Sequence, residues 1–180
     1  MSKLITTSML AEIKQYIVEN LEYETKTDDS EPHDISKFGE IFSFANTGFF
    51  SSNIFIDMKD IVMRQEKSFS EELNDLVNKS GKSNSEIYTA AQMDRRLFSK
   101  ICNKPDYHPT KSTALALAIA LELTLEQTKQ FISRAGYALT RSSVVDLVVE
   151  FFINKKIYNV MAINEALYEL DQPLLGNAVR

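Results

Sequence analysis

The chain has few of the residues that form cross-links, metal sites or imidazole catalysts. Its 180 residues include one cysteine, Cys102, and two histidines, His33 and His108. A single cysteine cannot form an internal disulfide and supplies too few thiolates for a structural zinc site. The sequence has no GxxxxGK[ST], GxGxxG, HExxH or GxSxG pattern. We therefore expect no enzymatic activity, with no catalytic residues, no metal and no cofactor.

Glycine, proline and long apolar runs are also scarce. With 5 Gly, 4 Pro, 44% hydrophobic and 25% charged residues, the composition is that of a globular protein and not of a low-complexity polymer. The longest apolar run, residues 114–121, has eight residues, less than half of a membrane span. Glu12 and Lys14 interrupt the N-terminal apolar residues before a secretory signal could form. We expect a cytoplasmic protein without membrane association.

The net charge of −5 at first argues against nucleic acid, because phosphate binding needs lysine and arginine. The charge is unevenly distributed, however. Residues 1–67 have a net charge of −5, residues 68–141 of +2 and residues 142–180 of −2. Within residues 79–111, seven lysines and arginines face three acidic residues. The central part of the chain is therefore basic enough to be a candidate for DNA binding.

The pattern of apolar and turn-forming residues divides the chain into three parts. Residues 1–66 contain a first helix over 6–22, an acidic linker and a Phe-rich arm. Residues 67–141 have the helical pattern of a separate domain, and residues 142–180 predict two further helices packed on it. Because these last helices have more apolar residues than one inner stripe needs, they either extend the core or form a dimer surface; we favour the core.

The Phe-rich stretch within residues 38–56 has no sustained helical or strand period. One interpretation is an arm whose aromatic side chains pack on the main domain. The other is that residues 35–56 dock a protein partner.

Capping residues predict where the helices of the central domain begin. Ser70 precedes two glutamates and is the expected N-cap of the first helix of this domain. Ser83 with Glu86, and Thr124 with Gln127, have the spacing of capping boxes. Asp94 is the expected cap of a helix over residues 94–103, and either Thr110 or Ser112 that of the next, Ala/Leu-rich helix.

Two of these helices have the spacing of a helix-turn-helix unit. A steep crossing needs a tight turn and small side chains where the backbones meet, for which Ala90 and Ala91 are the candidates. The side chains expected to be buried are Met93, Phe98 and Ile101. The outward face then has Arg95, Arg96, Ser99, Lys100 and Asn103.

At this point the sequence resembles a known family. Residues 69–140 resemble the lambda-repressor-like (XRE family) helix-turn-helix domain, and the resemblance rests on residues 83–87, 93–101 and 113–123. More narrowly, residues 94–123, 134–137 and 171–176 resemble a bacterial group with this domain near the C-terminus and a variable N-terminal arm. The sequence departs from the family pattern at Tyr88, where alanine is usual, at Gln92, where glycine is usual, and in the loop at 105–109.

The helix-turn-helix interpretation assigns site residues on double-stranded DNA. We expect base contacts from Arg95, Arg96, Ser99 and Asn103, since arginine can bond guanine bidentately. Phosphate contacts are expected from Lys82, Ser83, Ser85, Lys100, Lys104 and Lys111.

The sequence therefore predicts an all-α protein with a lambda-repressor-like five-helix helix-turn-helix core, extra C-terminal helices and an irregular N-terminal arm. Its expected function is sequence-specific DNA binding, as a transcriptional regulator with helix 94–103 in the major groove, acting as a homodimer. The alternative is an adaptor or antitoxin-like module that engages a protein partner through the arm and the helical surface.

Overall fold

A computed structural model describes residues 4–21 and 67–176, which belong to one compact unit. These residues form eight α-helices and no strand, so the all-α prediction is confirmed for the described part of the chain. The helices are α1 (Thr7–Asn20), α2 (Phe69–Ser80), α3 (Asn84–Ala90), α4 (Arg95–Asn103), α5 (Lys111–Ala120), α6 (Leu125–Ser133), α7 (Val144–Asn154) and α8 (Val160–Glu169). Among them, none is long and apolar enough to cross a membrane.

Helix α5 lies at the centre of the fold. All residues from Thr113 to Ala120 are buried, and the helix contacts α3, α6 and α8. Small alanine side chains alternate with leucine and isoleucine along it, which lets neighbouring helices approach from several sides. The Ala/Leu-rich segment is thus core, as its composition predicts.

Helix α7 contacts both the first and the last helix of the described residues. It contacts α1, α6 and α8, and the side chains of Phe151, Phe152 and Ile153 are buried. On α1, Ile13 and Ile17 are buried, and Lys155 Nζ lies 2.8 Å from a Glu12 carboxylate oxygen. The apolar residues of α7 therefore lie in the core of this unit, together with those of the N-terminal helix.

Local capping explains most helix starts. Ser83 and Thr124 form the predicted capping boxes, Asp94 caps α4, and Thr110 is the cap of α5. The prediction of Ser70 as an N-cap was wrong: Ser68 caps α2 and forms a capping box with Glu71. Ser70 lies inside the helix, where its buried hydroxyl donates instead to the Cys102 carbonyl.

Candidate functional site

The exposed side of α4 is basic and lines a depression in the surface. Arg95, Arg96, Ser99, Lys100, Asn103 and Lys104 line an open depression of about 520 Å³, and we call these six residues the α4 surface. Four of the six are cationic and none is acidic. All four residues predicted to contact bases lie here, together with two of the predicted phosphate contacts.

The local sequence explains why α4 presents this face. The Asp94 carboxylate accepts a hydrogen bond of 2.6 Å from the Arg96 amide and so starts the helix. Phe98 and Ile101, three residues apart, are buried, with the Phe98 ring 6.0 Å from that of Tyr88. Because these two large apolar residues define the inner side of the short helix, its polar residues face outward.

Helix α2 holds the other end of α4. The Ser70 hydroxyl and the Asn74 amide nitrogen both donate to the Cys102 carbonyl, at 2.7 and 3.0 Å. Sequence analysis missed this contact, because it joins residues 32 and 28 positions apart without a local signal. Burial raises the pKa of the Cys102 thiol to about 11, so the thiol stays protonated near neutral pH and is a poor nucleophile.

The turn between α3 and α4 is tight and is closed by hydrogen bonds between backbone atoms. The amide of Met93 donates to the Tyr88 carbonyl at 3.0 Å, and Gln92 has a φ of 54°. A left-handed conformation favours glycine, and here glutamine adopts it with an exposed side chain. Ala91 is fully buried, whereas Ala90 is exposed, so the prediction of a small buried contact is wrong for Ala90.

Interactions within the α4 surface distinguish its side chains. Lys100 Nζ lies 4.4 Å from the centre of the Tyr107 ring, a cation–π contact that no sequence pattern predicted. The Asn103 amide nitrogen donates to the Ser99 carbonyl at 2.8 Å and lies 3.2 Å from its hydroxyl. Lys100 and Asn103 are therefore partly constrained by their neighbours on the protein.

Arg95 also faces a second depression of about 400 Å³, between α2, α3 and α4. Ser85, another predicted phosphate contact, lies on its wall with Asn84 and Tyr88. The structure thus brings Ser85 into one depression with three members of the α4 surface, Arg95, Ser99 and Asn103.

Three other predicted phosphate contacts line neither depression. Lys82 Nζ lies 2.6 Å from a Glu122 carboxylate oxygen, and Lys111 Nζ lies 2.6 Å from Asp146. The Ser83 hydroxyl donates to the Glu86 carboxylate at 2.7 Å. Each of these groups already has an ionic or capping partner within the fold.

Two sequence predictions fall on residues that the structure does not describe. The acidic linker and the candidate docking element at residues 35–56 lie outside the described residues. Within the ranges 4–21 and 67–176, no group of three or more His, Cys, Asp or Glu side chains is arranged to hold a metal ion. Comparison of the chain with protein-family models, curated proteins and solved structures gives no match.

Proposed function

We propose that the chain is a sequence-specific DNA-binding protein with a lambda-repressor-like helix-turn-helix core. In this proposal α4 enters the major groove, and the protein acts as a transcriptional regulator in the cytoplasm. The observation that supports it best is the α4 surface, with three cations on the exposed side of α4, a fourth at its C-cap and no acidic residue among its six members. A major groove about 12 Å wide accepts an α-helix and offers base edges to its side chains.

Arg95 and Arg96 are the base-reading residues of the proposal. Both are exposed in the first turn of α4, and neither has a carboxylate among the residues that line its depression. A positive charge near a helix N-terminus is unfavourable in isolation, so two adjacent arginines there suggest an anionic partner. A bidentate arginine–guanine pair contributes about 1–3 kcal/mol of discrimination against the wrong base.

The remaining polar groups of the α4 surface have supporting roles in the proposal. Ser99 and Asn103 follow on the same face, and the bond between them orients the Asn103 amide before DNA arrives. Lys100 and Lys104 contact backbone phosphates, and Ser85 donates to a phosphate beside Arg95. Lys82, Ser83 and Lys111 would each have to leave an existing partner, so we assign them lower contributions to phosphate binding.

A two-fold DNA site would be read by two copies of α4, and the proposal therefore includes a homodimer. Sedimentation of the protein with a selected duplex tests this part. Two protein copies for each palindromic duplex are expected, and a single copy on every selected site would refute the dimer.

The central experiment measures binding to a diverse pool of DNA duplexes over a series of salt concentrations. The test variant is Arg95→Ala/Arg96→Ala, and the matched control is Lys14→Ala/Lys129→Ala, which removes two positive charges from exposed positions on α1 and α6. We expect the test variant to lose selected-site binding by at least about tenfold, since each base pair contact contributes about 1–3 kcal/mol.

The control should keep the preference of the wild-type protein for its selected sites. The logarithm of the binding constant should fall with the logarithm of salt concentration by about 0.9 for each neutralised phosphate. Failure of the wild-type protein to bind any duplex at low salt would refute the proposal. Equal losses in the test and control variants would refute the role of Arg95 and Arg96.

A further inference from the structure

The C-terminal segment formed by residues 173–176 is bonded to two helices of the core. The Asn164 side chain of α8 makes a pair of bonds with Leu175, accepting from its amide at 2.7 Å and donating to its carbonyl at 3.3 Å. On α5, the Ser112 hydroxyl donates to the Gly176 carbonyl at 3.1 Å, and the Ser112 carbonyl accepts from the Gly176 amide at 3.3 Å. Leu175 is fully buried. The segment thus has a fixed place in the fold.

That place is directly against the turn between α3 and α4. A Cβ atom added to Gly176 would lie 3.0 Å from the Ala91 carbonyl oxygen and 3.4 Å from that of Gln92. Both oxygens are backbone atoms, so a side chain at position 176 could fit only if the segment or the turn moved. Gly176 also has a φ of +70°, a conformation that L-residues rarely adopt. Glycine is favoured here both by the backbone conformation and by the close approach.

The position of this turn determines the orientation of α4 relative to α3. Ala91 is fully buried, and the Met93 amide closes the turn on the Tyr88 carbonyl. α4 itself is short, and its other attachments include two buried side chains and the hydrogen bonds to the Cys102 carbonyl. A shift of the turn would therefore tilt α4 and move Arg95 and Arg96, which follow the turn immediately.

We propose that residues 173–176 are a positioning element for α4, with Gly176 as the residue that contacts the α3–α4 turn. The segment restricts the turn to one arrangement and so sets the orientation of the α4 surface. Its effect on DNA affinity rests on the proposed function, whereas its effect on the turn does not.

The structure offers a matched pair of variants, Gly176→Ala and Gly136→Ala. The two glycines have similar φ angles, +70° and +74°, but an added Cβ at Gly136 would meet nothing within 4 Å. Both variants pay the same conformational cost, equivalent to about a 5- to 30-fold loss in the folding equilibrium constant. Only Gly176→Ala should disturb the turn.

Amide hydrogen exchange measures the turn without DNA. We expect the Met93 amide to exchange about 3- to 30-fold faster in Gly176→Ala than in Gly136→Ala, after correction for their global stabilities. Where the wild-type protein binds DNA, Gly176→Ala should weaken binding by a similar factor and Gly136→Ala should leave it unchanged. Asn164→Ala, which removes both bonds to Leu175, should give the same pattern and serves if Gly176→Ala does not fold.

Equal exchange at Met93 in the two glycine variants and in Asn164→Ala would overturn the proposal. Faster exchange with unchanged DNA affinity would also overturn it, because the turn would then move without affecting the α4 surface. A wild-type protein that binds no DNA would refute the proposed function alone, since the exchange measurement still decides whether the segment positions the turn.

Discussion

Replacing Lys111 with methionine tests whether this lysine serves the fold or DNA phosphates. Its ammonium lies 2.6 Å from Asp146 Oδ2, and the Asp146 residue is only 1% exposed. The same oxygen accepts from the Thr140 amide at 2.8 Å and from its hydroxyl at 3.1 Å. Methionine keeps much of the aliphatic volume but removes the charge, which leaves a buried carboxylate with only neutral donors.

The expected loss follows from burial and from the donors that remain. Breaking a fully buried ion pair from one side costs about 3–5 kcal/mol. The Lys111 side chain is 30% exposed and both Thr140 donors stay, so a charged hydrogen bond is the better measure, at about 1.5–3 kcal/mol. We expect Lys111→Met to lower the free energy of unfolding by about 2 kcal/mol. With a urea dependence of about 2 kcal/mol/M, the midpoint would fall by about 1 M.

Urea unfolding of four proteins provides the assay. Lys104→Met, at an exposed position on the α4 surface, is the matched control and should change stability by less than about 0.5 kcal/mol. Lys111→Met/Asp146→Asn should recover part of the loss, because it removes the unpaired buried charge. Equal midpoints for Lys111→Met and Lys104→Met would refute the structural role of Lys111 and leave its ammonium group available to a DNA phosphate.

Two further predictions concern a pair of caps and one turn. Hydrogen bonds from the Ser68 amide and hydroxyl hold the pKa of Glu71 below its ordinary value of 4.5, and those from the Ser83 hydroxyl and amide do the same for Glu86. In the folded state both carboxylates favour the charged form, so their contribution to stability is complete above pH 4.5 and is lost as the pH falls through the lowered pKa values. Between pH 6 and pH 3, the urea midpoint should therefore decline less steeply in Glu71→Gln/Glu86→Gln than in the wild-type protein. An identical decline would contradict the assignment. Gln92→Gly should raise the free energy of unfolding by up to about 1 kcal/mol. Glycine relieves about 1–2 kcal/mol of left-handed backbone strain, which exceeds its entropic cost of about 0.5–1 kcal/mol. A lower urea midpoint would show instead that the Gln92 side chain stabilises the turn.

Local signals were enough to predict much of the helical architecture. The caps at Ser83, Asp94 and Thr124 depend on residues within one turn of the helix start, so the sequence alone reveals them. Ser68 and Glu71 have the same three-residue spacing as Ser83 and Glu86, whereas the residue three positions after Ser70 is a leucine, so the local pattern already favoured Ser68 as the cap. The bond from the Ser70 hydroxyl to a carbonyl 32 positions away, in contrast, has no local signal.

The candidate site shows the same division. The outward face of α4 follows from the spacing of Phe98 and Ile101 on its inner side, and residues Arg95–Lys104 could be grouped from the sequence. The partners of Lys82 and Lys111 lie 40 and 35 positions away, and the contact of Gly176 with Ala91 joins residues still farther apart. These pairings depend on how the helices pack, which no local pattern encodes.

The contact of α1 with α7 joins the first helix of the described residues to one of the last. Hydrophobic burial of Ile13 and Ile17 holds α1 in place independently of the covalent connection. The helix α1, supplied as a separate peptide, should therefore bind to the helices from α2 to α8, so that the two pieces behave as complementary fragments of one fold.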